Sequence, residues 1–244
     1  MIDQLYLSVP ASAAEVAVRA KPRVVLALGL AGALGDELLA ALVAAPDVRL
    51  VHVGLKQPIA SGTAKYRPWV VGSSTIAADD AYVCLSGPDT FVSRTSPVQR
   101  YDAQTLLDAA RVAQAAGVSR LVVVSPLSAL LQMNAASHTV STEQEFELVQ
   151  MKFETLVIVR PTAAEIAEAA GPWLARTVRS LGKMVLEIML PVHVQALRPR
   201  TAALAILAAV APLHGGVHVI GARELLSIVE ATMPVLAPKR VRLR

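Results

Sequence analysis

The stretch Arg23 to Gly35, RVVLALGLAGALG, constrains this chain more than any other part of it. Val24 to Leu28 is a short apolar run rich in Val and Leu, the pattern of a strand buried on both faces. Gly29, Gly32 and Gly35 follow it at GxxGxxG spacing, and small and apolar residues from Leu34 to Ala44 then predict a helix. Strand, glycine turn and helix in that order make the first unit of a dinucleotide-binding fold. A pyrophosphate sits against the first turn of such a helix, where unpaired N–H groups and the positive dipole end meet it. Gly29 then allows the tight turn, Gly32 lets backbone approach phosphate, and Gly35 lets the helix lie close on the strand. The candidate cofactor-binding residues of the turn are Gly29, Leu30, Gly32, Ala33, Leu34 and Gly35.

The alternation continues along the chain. Strands are expected at Val48 to Val53, Arg67 to Gly72, Ala81 to Leu85, Leu121 to Val124, Thr155 to Val159 and Val217 to Ile220, with a short one at Val192 to Ala196. Helices are expected at Asp102 to Ala116, stopped by Gly117, and at Thr142 to Lys152, opened by a Thr142/Glu145 capping box. Others follow at Ala163 to Gly182, Thr201 to Val210 and Ala222 to Thr232. Apolar side chains make up 54% of the chain and aromatic ones only 4%, which suits small helices packed on a parallel sheet. The expected fold class is therefore α/β: a single doubly wound parallel sheet, Rossmann-like, with helices on both faces. The whole of 1–244 reads as one domain, with 1–20 an N-terminal extension and 160–200 a small substrate-side cap region.

Composition also excludes several classes. Cys84, the only cysteine, falls in an expected buried strand, so no internal disulfide can form and thiol chemistry is not expected. No apolar stretch reaches the length of a membrane span and no charged leader with a cleavage site opens the chain, which predicts a cytoplasmic protein. Lys239, Arg240, Arg242 and Arg244 crowd the C-terminus without an aromatic platform, so nucleic acid is not an expected partner. His214 and His218 flank Gly215 and Gly216, which denies them the rigid helix face that metal spacing exploits, and no metal is expected. No GKS or GKT follows the glycines, which excludes a P-loop triphosphatase. A homodimer is compatible with the apolar extension packing on a partner subunit.

The end of the second strand meets the adenosine ribose in this fold. An acidic residue there suits NAD, and a basic one suits the 2′-phosphate of NADP. This chain has no Asp or Glu at that place and does have Lys56, so NADP(H) is favoured over NAD(H). Ser86 to Gln99, rich in Ser, Thr, Pro and Gly, reads as a long loop at the carboxyl end of the fourth strand, where ligands bind in open parallel sheets. Leu85, Ser86 and Gly87 join the cofactor-binding set there.

Taken together, GLAGALG, LKQP, DDAYVCLSG, AGVSRLVVVSPLSA and FETLVIVRPT make the chain similar to the atypical short-chain dehydrogenase/reductases. Within them it most resembles the Tat-interacting-protein-like and NmrA-like branch, and the resemblance runs from about Lys21 to Thr232. It implies a Rossmann fold that binds NADP(H). It also implies a Tyr and a Lys one helical turn apart before the sixth strand, and the matching positions here are Ser137 and Ser141. No Tyr occurs after Tyr101, and Lys152 lies at the far end of the helix. The Gly-Asp that the family often places after the third strand is Gly72-Ser73. The serine near the end of the fifth strand is kept as Ser125, with Ser128 a second candidate. His138, beside the vacated tyrosine position, is the titratable group nearest to hand, with Glu143 or Ser141 as support. The catalytic candidates are therefore Ser125 and His138.

Two classes of function remain. One is an NADP(H)-binding reductase-like or redox-neutral enzyme acting on an apolar small molecule without a catalytic tyrosine. The other is a non-catalytic NmrA-like protein that senses the dinucleotide or binds a partner.

Overall fold

A computed structural model of the chain describes residues 22–60, 63–86, 96–125, 142–161 and 198–232. The expected extension over 1–20, the helix over 163–182 and the strand over 192–196 lie outside these residues, as do Gly87, Ser128, Ser137, His138, Ser141 and the basic C-terminus. In chain order the elements are β1 (Arg23–Leu28), α1 (Gly32–Ala44), β2 (Val48–Leu55), β3 (Tyr66–Val70), β4 (Asp80–Cys84) and α2 (Leu106–Ala115). There follow β5 (Arg120–Val124), α3 (Thr142–Gln150), β6 (Thr155–Arg160), α4 (Pro199–Val210), β7 (Gly216–Gly221) and α5 (Ala222–Thr232).

The described strands join one seven-stranded sheet in the order β3-β2-β1-β4-β5-β6-β7, each neighbouring pair parallel. The fold is the doubly wound parallel sheet that the sequence predicts. Its central strands alternate between two cores. Val25, Ala27, Val53, Cys84, Val122 and Val157 pack with α1, α4 and α5, while Leu26, Leu28, Val83, Leu121, Val123 and Ile158 pack with α2 and α3. Burial on both faces is why these strands read as unbroken apolar runs rather than as alternating ones. The small residues of α4, Ala202, Ala203, Ala205 and Ala209, are all buried, so this helix lies close against its neighbours.

Several boundaries differ from the sequence reading. The helix expected from Asp102 begins at Leu106, because Asp102 and Thr105 first close a turn on each other. The Thr105 backbone N–H donates to the Asp102 carboxylate at 2.9 Å and the Asp102 N–H donates to the Thr105 hydroxyl at 2.9 Å. The helix expected to reach Lys152 ends at Gln150, and Lys152 turns the chain with φ 56, a left-handed closing residue. Glu145, the expected capping-box carboxylate, accepts from Arg160 at the end of β6. β1 and β2 each run further than expected, and β3 stops at Val70.

At the amino ends of the central strands lies a buried ion network. Arg120 reaches Asp80 through both Nε and Nη2 at 3.0 Å, and its Nη1 donates to the Leu213 carbonyl at 3.3 Å. Arg23 also donates to Asp80 and bridges from there to Asp47. Asp79 accepts from the Val24 backbone N–H at 2.7 Å. These charges tie β1, β4 and β5 at the end of the sheet remote from the glycine turn.

Cys84 is buried near the carboxyl end of β4, and burial pushes its thiol pKa up to about 12. Since the thiolate is the reactive form, the folded protein is expected to leave this thiol untouched by a disulfide reagent at neutral pH. It should release one equivalent only on unfolding in denaturant, and rapid labelling of the native protein would contradict that burial.

Candidate functional site

Strand order reverses between β1 and β4, and this is where the two halves of the sheet open. From β1 the chain crosses to β2 through α1 on one face, and from β4 it crosses to β5 through α2 on the other. Leaving in opposite directions, the two connections open a crevice at the carboxyl ends of β1 and β4, the place where open α/β sheets hold ligands.

The glycine turn lies in that crevice. Gly29 and Gly32 have φ of 67° and 75°, a region closed to most side chains, and the Ala31 N–H donates to the Gly29 carbonyl at 2.7 Å. A Cβ on Gly29 would lie 2.3 Å from the Cys84 carbonyl oxygen, so the glycine also permits the close approach of β1 to β4. A Cβ on Gly35 would lie 2.6 Å from the Leu30 carbonyl carbon, so this glycine folds the helix onto the turn itself. The Leu30 side chain is fully buried and Leu34 packs on the α1-side core, which leaves backbone as what these two present to a ligand. The residue before α1 is Ala31, which offers no capping side chain, and the first turn carries no acidic residue. Among the described residues its N–H groups and dipole end are left without a side-chain partner, which suits an anion.

Around the turn, Lys56 follows β2 directly and its side chain is exposed. The Leu85 backbone N–H donates to Val124, extending the ladder between β4 and β5. The Ser86 hydroxyl is buried without a hydrogen-bond partner among the described residues. Ser125 is buried at the tip of β5, with its backbone N–H on the Val159 carbonyl at 2.9 Å. The structure thus places Gly29, Leu30, Gly32, Ala33, Leu34, Gly35, Lys56, Leu85, Ser86 and Ser125 at the carboxyl edge of the sheet, on the elements expected of them. Gly87 and His138 lie outside the described residues.

One part of the site was not foreseen. Pro97 to Tyr101, of which Pro97 to Gln99 read only as loop, crosses above Gly29 from β2 to β4. The Lys56 N–H donates to the Pro97 carbonyl at 2.8 Å, Gln99 donates to the Gly54 carbonyl at 3.3 Å, and Ser86 donates to the Tyr101 carbonyl at 2.8 Å. Val98 pairs antiparallel with Leu55. The segment thus takes the hydrogen bonds that a longer β1 would have made. Tyr101 is buried, and its ring lies 3.3 Å from where a Gly29 Cβ would be. Burial, with the Asp108 charge, pushes the Tyr101 phenol up to about 12, the opposite of a tyrosine tuned to pass a proton. The available signal was Tyr101, an aromatic residue three places after the Pro97-Val98 pair and just ahead of the expected helix.

No protein-family model and no curated protein matches this chain. Among solved structures it is similar to the Bordetella bronchiseptica enzyme WbmF in complex with NAD+, at 16% identity over 92% of this chain and 82% of that one, with a TM-score of 0.49. It is similar to a nucleoside-diphosphate-sugar epimerase from Staphylococcus aureus at 12% identity over 86% and 76% of the two chains, with a TM-score of 0.46. A third likeness is to the PhqB reductase domain from Penicillium fellutanum, at 14% identity over 91% and 80%, with a TM-score of 0.41. Identities this low transfer no function. Among the described residues no helix is long and apolar enough to cross a membrane, and no group of His, Cys, Asp or Glu could hold a metal ion.

Proposed function

We propose that this chain is an atypical short-chain dehydrogenase/reductase-like protein that binds NADP(H) at the β1/β4 crevice and does not carry out tyrosine-dependent carbonyl reduction. The observation that supports it most is the uncapped first turn of α1, set behind two left-handed glycines where the sheet order reverses. The N–H groups of that turn would hold the pyrophosphate, Lys56 would pair with a ribose 2′-phosphate, and the unpartnered Ser86 hydroxyl offers one further polar contact. When bound, the nicotinamide supplies hydride-transfer chemistry. What this chain supplies is orientation and exclusion of water, with Ser125 at the tip of β5 and His138 as the groups that would move a proton to an apolar substrate. Tyr101, the phenol that stands in the crevice, is held protonated.

The Pro97 to Tyr101 crossing favours a second reading, a non-catalytic protein that senses the dinucleotide or binds a partner. Three backbone hydrogen bonds hold this segment over the glycine turn, and a dinucleotide lying across the carboxyl ends of β1 and β2 would have to share that space or displace it.

Titration with NADPH and with NADH, followed by fluorescence, tests both. NADPH is expected to bind roughly tenfold or more tightly, since a charge-assisted contact contributes about 1.5 to 3 kcal/mol, and Lys56→Ala should remove the preference. Lys56 is exposed and its substitution leaves the turn intact, whereas Gly32→Val would strain a left-handed backbone as well as fill the phosphate space. Equal affinities would remove the role given to Lys56. No binding of either nucleotide would leave the partner-binding reading.

A further inference from the structure

A cleft lies under the crossing from β3 to β4. α1 and α2 make the crossings from β1 to β2 and from β4 to β5, but residues 71–79 pass from β3 to β4 without a helix. The crossing leaves a cleft of about 520 Å³ against the outer strands, lined in part by His52, Arg67, Trp69, Ser73 and Thr75. In the parallel register His52 pairs with Arg67 and Gly54 with Trp69. Side chains two apart along a strand share a face, so His52, Arg67 and Trp69 stand together on the face that packs α2.

The groups in this cleft are polar and incompletely satisfied. His52 is only 7% exposed, and its Nδ1 is buried with no hydrogen-bond partner among the described residues. Buried nitrogens without a partner are rare in folded proteins, and such a group commonly marks a place where a ligand or water belongs. Burial first, and then the nearby Arg67 charge, lower the imidazole pKa, which keeps the ring neutral and gives it one N–H to donate. The Arg67 guanidinium forms no hydrogen bond or ion pair among the described residues. Trp69 is fixed beside them, its indole N–H donating to the Ser74 carbonyl at 3.1 Å, and the Ser73 hydroxyl donates to the Val70 carbonyl at 2.7 Å.

We infer that the β2/β3 cleft binds a small polar molecule through an oxyanion group, a phosphate or a carboxylate, held by the Arg67 fork and by the His52 Nδ1–H. An unpaired guanidinium matches the planar, two-oxygen edge of either group, and a neutral imidazole donor beside it completes the contact without adding a like charge. The inference does not rest on dinucleotide binding, since the cleft shares no residue with the glycine turn.

Calorimetric titration of the full chain with inorganic phosphate, and separately with succinate, tests the inference. One or both are expected to bind below about 20 mM, and Arg67→Gln should weaken that binding roughly tenfold or more. His52→Phe keeps the ring shape, removes the donor and should weaken binding in the same direction, while Arg67→Gln, at an exposed position, decides the matter if the buried variant folds poorly. Binding of phosphate alone identifies a phosphate ester as the ligand class, and of succinate alone a carboxylic acid. Failure of both to bind would overturn the site. So would phosphate binding unchanged in Arg67→Gln, which would place the anion at the glycine turn instead.

Discussion

Asp80→Ala is expected to lower the stability of the fold by about 3 to 5 kcal/mol, the usual cost of removing one partner from a buried ion pair. Asp80 is 2% exposed and accepts from both Arg120 and Arg23. Arg120 is itself buried at 9% exposure, so the substitution strands a guanidinium whose remaining partners are two carbonyls, those of Val210 and Leu213. Those partners are the last residue of α4 and a residue just past it, so the loss spreads from β1, β4 and β5 to the helix layer. An ordinary domain is stable by about 5 to 15 kcal/mol, and a loss of this size consumes much of that margin. Urea unfolding followed by circular dichroism measures it. Arg111→Ala is the control, because Arg111 and Asp108 form a pair exposed at 62% and 65%, and such pairs contribute about 0.2 to 1 kcal/mol. Similar shifts for the two variants would show that the Asp80 network is no stronger than a surface pair.

Gly29→Ala is expected to cost about 2 to 5 kcal/mol, from two separate sources. A left-handed backbone at φ 67° costs an ordinary residue about 1 to 2 kcal/mol. A Cβ placed 2.3 Å from the Cys84 carbonyl oxygen then forces β1 and β4 apart, and overpacking of this kind costs typically about 1 to 3 kcal/mol more. Gly117→Ala separates the two, since Gly117 has φ 71° but a Cβ there would meet nothing within 4 Å. The Gly117 variant should lose only the conformational part. Equal losses would mean that Gly29 serves the turn's conformation and that its contact with Cys84 contributes nothing.

The two glycines show how the sequence could and could not be read. GxxGxxG after an apolar run announces a turn, because few other residues tolerate its backbone. Which atoms each glycine must avoid was not legible, because Cys84 is far along the chain from Gly29 and only strand pairing brings its carbonyl there. Gly117 as the stop of α2 was legible for a local reason: its N–H closes on the Gln114 carbonyl within the same turn. Asp102 and Thr105 misled for a local reason too, since a polar side chain that bonds nearby backbone competes with helix formation. His52 and Arg67 gave no signal, because nothing in VRLVHV or YRPWV shows that the next crossing lacks a helix to cover them.

By itself the sequence determined the kind of sheet, the helices that flank it and the position of the glycine turn, because burial on both faces and backbone freedom leave marks on residue type that need no partner to be read. It also determined that no tyrosine follows Tyr101. Tertiary structure alone decided that Pro97 to Tyr101 would take up the free edge bonds of β2 and β4 above Gly29, that Asp80 would gather Arg23 and Arg120, and that His52 would be buried beside an Arg67 with no partner among the described residues. Each of those joins residues remote in the chain, where the hydrogen bond or charge contact exists only once the strands have registered. No local pattern of side chains encodes such a meeting.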